Sequence, residues 1–134
     1  MRPQNSPTAE IEEIEEGLSV LLQALRASRR RCVIQFLEGT EKSETVSTRL
    51  LAQQIAAREN GIAVEYASGE PYKNVYNALS QTHLPTLNSA DVIVYDPKRQ
   101  TVQKGPLFDL AALLLNLSQP AIKTFYHQYT SQNR

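Results

Sequence analysis

Apolar residues recur at helical spacing near the start of the chain. Leu18, Leu21, Leu22 and Leu25 occupy positions i, i+3, i+4 and i+7, which predicts a first helix with one apolar stripe. The nine residues at the beginning, 1–9, are polar and contain two prolines, a composition that predicts a disordered leader. Regular structure is therefore expected from about residue 10, and its apolar stripe requires a partner.

Two further helices are predicted from their end signals. Ser28 is a candidate N-cap of a second helix, which Gly39 would end. Ser47 is a candidate N-cap of a third helix over residues 48–60, ended by Gly61. The apolar positions of both segments recur at helical spacing. The third helix has an expected buried face of Leu51, Ala52, Ile55 and Ala56.

A fourth helix follows a longer connection. Pro71 suits the first helical position because its missing N–H would have no partner there. The helix is expected to occupy residues 71–83, with Val75 and Leu79 on its inner face. Pro85 is expected to disturb its final turn, since proline cannot donate a backbone hydrogen bond.

The hydrophobic period then changes from that of a helix to that of a strand. Residues 92–95 alternate, residues 96–100 have turn composition, and residues 101–104 can return antiparallel, which predicts a β-hairpin. Earlier in the chain, Thr45 and Val46 are predicted to form a very short strand.

Residues 106–134 are predicted to form two C-terminal helices, opened by Pro106 and Pro120. The first is apolar nearly all round, so either the leucines of the first helix cover it or a two-fold interface does. We favour a homodimer. Its predicted interface residues are Leu107, Leu110, Leu114, Leu117 and Phe125.

The order of these elements predicts a mainly α fold with a small β-hairpin, an α+β class. Three helices, then a helix with a polar outer face, then a hairpin is the order of a winged helix-turn-helix with extra terminal helices. Residues 10–105 would form that domain. One feature disagrees with the tight form of the motif, because residues 61–70 are ten where three or four are usual.

A DNA-binding role follows if the fourth helix enters the major groove. Lys73, Asn74, Asn77 and Gln81 lie away from the inner face, and amide or long cationic side chains can read base edges. Their plainer interpretation is the solvated face of a surface helix. The other predicted DNA contacts are Arg29, Arg30, Arg49, Tyr72, Lys98, Arg99 and Lys104. The hairpin cations among them would meet phosphates or contact only water.

Composition restricts where such contacts could lie. The 134 residues suit one domain, and 14 basic and 14 acidic side chains cancel, so nucleic-acid contact must be local. Residues 1–25 carry five glutamates and one arginine, and residues 26–31 carry four arginines. The arginine cluster would be a phosphate-binding patch, or a solvated helix start that pairs with the nearby glutamates.

No residue pattern indicates an enzyme, a cofactor or a metal. Cys32 is a single thiol, interpreted as structural rather than redox-sensing, and His83 and His127 lack ligand spacing. No glycine-rich phosphate loop is present. The longest strongly apolar stretch, residues 107–117, is about half a membrane span, and no secretory leader opens the chain. A cytoplasmic protein with no membrane partner is expected.

Four sequence runs resemble a known family. They are SRRR at 28–31, LAQQIAAREN at 51–60, VYNALSQTHLPTL at 75–87 and VYD at 94–96. Over roughly residues 18–105 the chain resembles small haloarchaeal winged-helix proteins, described as transcriptional regulators of undetermined detailed function. The resemblance implies a DNA-binding fold and brings no ligand residues with it.

The sequence therefore predicts a homodimeric transcriptional regulator that binds specific sequences of double-stranded DNA. Residues 71–83 would occupy the major groove and hairpin residues 91–104 would contact the backbone. The alternative is a winged-helix adaptor that binds a protein partner and no DNA.

Overall fold

The computed structural model describes residues 7–132. It is mainly helical with a small three-stranded antiparallel sheet, which confirms the α+β class. In chain order the elements are α1 (Pro7–Leu25), α2 (Ser28–Glu38), β1 (Val46–Ser47), α3 (Thr48–Asn60), a 3₁₀ turn (Val64–Tyr66), α4 (Gly69–Ala78), a π-helical segment (Leu79–His83), α5 (Leu84–Ser89), β2 (Ile93–Asp96), β3 (Thr101–Lys104) and α6 (Phe108–Gln132).

Helix α1 begins earlier than expected and buries only part of its stripe. It starts at Pro7, so residues 7–9 of the predicted leader are helical, and residues 1–6 lie outside the described part. Leu21 and Leu25 are buried as predicted. Leu18 and Leu22, by contrast, are 41% and 55% exposed, because the body of the domain covers only the end of the helix.

The N-cap assigned to α2 is wrong by one residue. Ala27 occupies the cap position, and its carbonyl accepts the first backbone bond from the N–H of Arg31 at 3.1 Å. Ser28 is already helical, and no side chain caps this end. The helix does end before Gly39, whose φ of −80° is an ordinary value rather than a left-handed one.

Helix α3 is as predicted. The Ser47 hydroxyl accepts a hydrogen bond from the N–H of Leu50 at 3.0 Å, and Gly61 ends the helix in the left-handed conformation with φ 63°. The expected inner face is buried throughout: Leu51, Ala52, Ile55 and Ala56.

The fourth predicted helix is longer than expected and changes type within its length. It starts at Gly69, two residues before Pro71, and continues as helix to Ser89. At the π-helical segment, the N–H of Leu84 donates to the carbonyl of Leu79, five residues back. The wide turn directly precedes Pro85, which has no N–H to donate, so the disturbance predicted there is real but does not end the helix.

The predicted hairpin is confirmed. Strands β2 and β3 pair antiparallel, with Asp96 opposite Thr101 beside the turn. Strand β1 adds to the other side of β3, with Val46 opposite Val102, so the strand order is β1-β3-β2. The short strand thus forms one residue later than Thr45.

The predicted break at Pro120 is wrong, because α6 runs through it as one helix. Proline removes the bond to the carbonyl four residues back, that of Asn116, and this position is exposed, so water can satisfy the carbonyl. Buried residues of α6 end at Leu115. Of the predicted interface residues, Leu114 is half-buried, and the exposed ones are Leu107, Leu110, Leu117 and Phe125.

Candidate nucleic-acid interface

The outer face of α4 presents three of the predicted base-reading side chains to solvent. Lys73, Asn74 and Asn77 are exposed, while Val75 on the opposite face is 1% exposed and packs in the core. Tyr72 is half-buried, with its ring 6.0 Å from that of Tyr76. The exposed face therefore combines one cation and two amides, and the opposite face of the helix packs in the core.

Gln81 lies apart from this group. It belongs to the π-helical segment and lines a groove of 660 Å³ together with Ser19 and Gln23 of α1. Its side chain is exposed, but it faces the region beside α1. Lys73, Asn77 and Gln81 are four residues apart, but the π-helical segment rotates Gln81 away from the other two. Sequence spacing alone could not reveal this change of helix type.

The hairpin turn is a structured support for two cations. The Asp96 carboxylate accepts from the backbone N–H groups of Lys98 and Arg99 at 3.0 and 3.2 Å. Gln100, at φ 54°, accepts through Oε1 a hydrogen bond from the hydroxyl of Tyr95 at 3.1 Å. The side chains of both cations remain exposed at the tip. Arg99 makes only a loose contact with Asp96 at 4.0 Å.

A third cation stands beside this turn. The N–H of Thr48, the first residue of α3, donates to the carbonyl of Gln100 at 2.9 Å. Because Arg49 follows Thr48 and Arg99 precedes Gln100 in the chain, the start of α3 and the hairpin turn form one surface. Arg49 is exposed there. The fold thus places the start of α3, which carries the exposed Arg49, next to the turn that carries Lys98 and Arg99.

Lys104 does not belong to this surface. Its ammonium donates to the carbonyl of Thr40 at 2.8 Å and lies 4.9 Å from the centre of the Phe108 ring. Its side chain ties the end of the hairpin to the loop after α2. The phosphate contact at Lys104 stays a prediction, and in this structure its ammonium is engaged by contacts within the chain.

Arg30 is likewise not a surface cation. It is 6% exposed, and its guanidinium donates to the carbonyls of Ala24 at 2.7 Å and Gln23 at 2.9 Å. A third nitrogen lies 3.1 Å from Nδ1 of His83. Carbonyls at a helix C-terminus lack intrahelical donors, and Arg30 supplies them. The DNA contact at Arg30 stays a prediction, and in this structure its guanidinium is engaged within the chain.

Arg29 and Arg31 also bond within the chain. Arg31 donates to the carbonyls of Leu25 and Arg26 at 2.7 and 2.8 Å, again at the end of α1. Arg29 forms a bidentate pair with Glu59 of α3 at 2.8 and 2.9 Å, and hydrogen bonding lowers the pKa of that carboxyl. The arginine cluster thus joins α2 to α1 and α3, and does not pair with the N-terminal glutamates.

His83 is the titratable group most affected by this cluster. Its pKa lies below its usual value because the ring is partly buried, and because the charges of Arg30 and Arg29 oppose a proton there. Glu59 acts in the opposite direction. The neutral ring accepts the Arg30 hydrogen bond through Nδ1. The one sequence signal for the arginine contacts with the end of α1 and with His83 was the position of the arginine run directly after a predicted helix.

Acidification should destabilise the fold through His83. Above its unfolded pKa of about 6.5 the ring is neutral in both states. Below that pH the unfolded chain takes up a proton that the folded chain resists, so stability falls until the pH reaches the lowered folded pKa. We expect the urea midpoint of the parent to fall between pH 7.5 and pH 5.5.

The histidine variants identify the group responsible. His83→Gln should lose this pH dependence, while His127→Gln, at an exposed position, should keep it. A pH dependence that survives in His83→Gln would assign the effect to another group.

Other chemistry is sparse among residues 7–132. Cys32 is half-buried, and its Sγ accepts from Arg58 at 3.6 Å. This part of the chain contains no group of three or more histidine, cysteine or carboxylate side chains placed to hold a metal. Within the same range, no helix has the length and hydropathy needed to cross a bilayer.

Comparison with known proteins identifies a family for this chain. The described fold defines a small α+β domain with a helix and a cationic hairpin turn at its surface. Residues 22–103 match the family described as a domain of unknown function, DUF7344, and the chain belongs to that family. No curated protein and no solved structure matches the chain.

Proposed function

We propose that this protein is a sequence-specific regulator of transcription that binds double-stranded DNA through a winged helix-turn-helix and acts as a homodimer. Helix residues 71–83 would enter the major groove and hairpin residues 91–104 would contact the backbone. The proposal includes a cytoplasmic location and an archaeal source, and it involves no catalysis and no cofactor.

The order of elements carries the proposal. Helices α2 and α3 flank strand β1, then α4 continues through the π-helical segment into α5, and the β2–β3 hairpin closes the unit with β3 at the centre of the sheet. In winged-helix proteins the helix before the hairpin is the one that reads the groove. This arrangement favours α4 as the recognition helix and the hairpin as the wing.

The chemistry of the exposed α4 face suits base edges. A lysine can donate to O6 and N7 of guanine, and an asparagine amide can pair with N6 and N7 of adenine. Lys73, Asn74 and Asn77 supply these groups from the outer face. Each well-formed bidentate pair contributes about 1–3 kcal/mol of discrimination between bases.

The cations around the hairpin suit phosphates. Arg49, Lys98 and Arg99 are exposed on the surface where α3 meets the hairpin turn, and none of them forms a close ion pair within residues 7–132. Phosphate contacts fix the position of a protein on DNA without reading its sequence. A chain of zero net charge needs such a local group to bind a polyanion.

A protein-binding adaptor is the second candidate, and two observations favour it. The connection between α3 and α4, residues 61–68, includes a 3₁₀ turn and is longer than in a tight helix-turn-helix. Arg29, Arg30 and Lys104 are engaged within the chain, which leaves fewer cations for phosphates. Such an adaptor would use the same scaffold without binding DNA.

A salt titration separates the two candidates. We expect fluorescence anisotropy on a random duplex to show affinity that falls steeply with salt, with a slope of about 0.9 per neutralised phosphate. The double variant Lys98→Ala, Arg99→Ala should flatten this slope by about two.

A matched control removes equal charge elsewhere. Arg26→Ala with Lys42→Ala deletes two exposed cations outside the hairpin and should leave the slope unchanged. Absence of duplex binding by the parent even at low salt would reject the DNA proposal and favour the adaptor.

A further inference from the structure

Helix α1 keeps an apolar surface that its own domain does not cover. Ile11, Ile14, Leu18 and Leu22 are each at least 41% exposed and recur at helical spacing. The stripe continues from the buried residues at the end of the helix. None of residues 7–20 is buried, so the core does not cover this part of the helix although its amphipathic pattern is the same.

Helix α6 has the same property at its other end. Its buried face ends at Leu115, and the 17 residues of 116–132 extend about 25 Å further at 1.5 Å per residue. Ile122, Phe125 and Tyr126 in this half are 65%, 70% and 64% exposed. A solitary helix of this length is only marginally stable in water, so the extension indicates a packing partner.

The two uncovered segments leave the domain at opposite ends. Glu13 and Gly17 of α1 line one groove together with Leu107, just before α6 begins. Leu22 lines a second groove, of 710 Å³, together with Ile122 of α6. The helices therefore run alongside each other in the same direction. The start of α1 and the end of α6 cannot cover one another within one chain.

Their charges are complementary. The described part of α1 carries five glutamates and no cation, and Glu15 flanks the apolar stripe one turn after Ile11. After Asp109, the described part of α6 carries no carboxylate and holds Lys123 and His127. A segment with five glutamates and a segment whose one charged side chain at neutral pH is Lys123 are thus both present in a single chain.

We propose that a second copy of this chain covers both segments at once. A two-fold axis perpendicular to these two helices reverses their direction in the partner, so the N-terminal half of each α1 packs on the C-terminal half of the other copy's α6. This inference rests on the homodimer of the proposed function and assigns the dimer interface to α1 and α6. Phe125 stays in this interface, which is otherwise centred on Ile122 and not on the face of Leu110 and Leu114.

Oligomeric mass tests this interface. We expect light scattering with size exclusion to give the parent twice the 15.0 kDa of one chain, and Ile122→Asp to weaken association at least tenfold. Ile62→Asp changes a residue 44% exposed in the loop after α3 and should remain dimeric. A monomeric parent, or a folded Ile122→Asp that keeps the parent mass, would overturn the inference.

Charge reversal identifies the partner helix. Lys123→Glu and Glu15→Lys should each weaken self-association about two- to fivefold, as expected for exposed charges. Mixing the two variant chains should restore it, because the heterodimer again places opposite charges at both contacts. A Glu15→Lys chain that associates like the parent would show that α1 is not the partner.

Failure of this inference is distinguishable from failure of DNA binding. A monomeric parent whose affinity for duplex DNA still falls with salt would reject the dimer interface and support the DNA-binding proposal. A dimer with the expected variant pattern but no duplex binding would support the interface and reject the DNA proposal.

Discussion

Replacing Arg30 with methionine should destabilise the fold by about 3 kcal/mol, since removing a charged donor leaves buried acceptors without partners. Methionine retains much of the apolar stem but none of the donors. The carbonyls of Gln23 and Ala24 and the Nδ1 of His83 would then lose their hydrogen bonds to Arg30, a residue that is 6% exposed. We expect the urea midpoint to fall while the unfolding slope stays constant.

Two further arginine substitutions make this result specific. Arg29→Met breaks the partly exposed pair with Glu59 and should cost less than about 1 kcal/mol. Arg30→Lys should be nearly as harmful as methionine at that position, because one ammonium cannot reproduce the planar fork that reaches three acceptors. An Arg30→Met protein within 1 kcal/mol of the parent would contradict the role assigned to the cluster.

Substituting Gly105 with alanine should also cost about 3 kcal/mol, the upper part of the usual range for overpacking. A Cβ at this position would lie 2.8 Å from the carbonyl oxygen of Asp91 and 2.9 Å from backbone atoms of Ile93. These are backbone atoms that cannot rotate away. The N–H of Gly105 donates to the carbonyl of Val92 at 2.9 Å, which holds the two chain segments together at this distance.

Gly17 provides the matched control. It lies in α1, and a Cβ there would meet nothing within 4 Å. Gly17→Ala should therefore stabilise the protein by roughly 0.5–1 kcal/mol, because alanine restricts the unfolded chain and favours helix. Thermal unfolding of both variants measures the contrast. Equal effects at the two glycines would show that close backbone approach is not what requires Gly105.

Residues close together in the sequence were enough to predict several elements correctly. Helix α3 has its start and stop signals, Ser47 and Gly61, at its own ends, and both caps depend only on local geometry. The hairpin follows from alternation and turn composition in a similar way. The exposed α4 face with Lys73 and Asn77 follows from helical periodicity.

Residues far apart decided what the sequence pattern could not show. Lys104 meets Thr40 across 64 positions, and Arg30 meets His83 across 53, so neither contact has a local signature. Both cations were predicted to contact DNA because a sequence shows which residues are charged but not which are buried. Their engagement within the chain is a consequence of packing alone.

The sequence by itself therefore determined most of the elements, their order and the inner face of α3, since these depend on backbone propensity and on periodicity within one segment. Tertiary structure alone decided which charges remain at the surface. It turned the arginine run into a cap for α1 and joined Arg49 to the hairpin cations through one backbone hydrogen bond. It also left the ends of α1 and α6 uncovered, because how far a core extends along a helix depends on what packs against it.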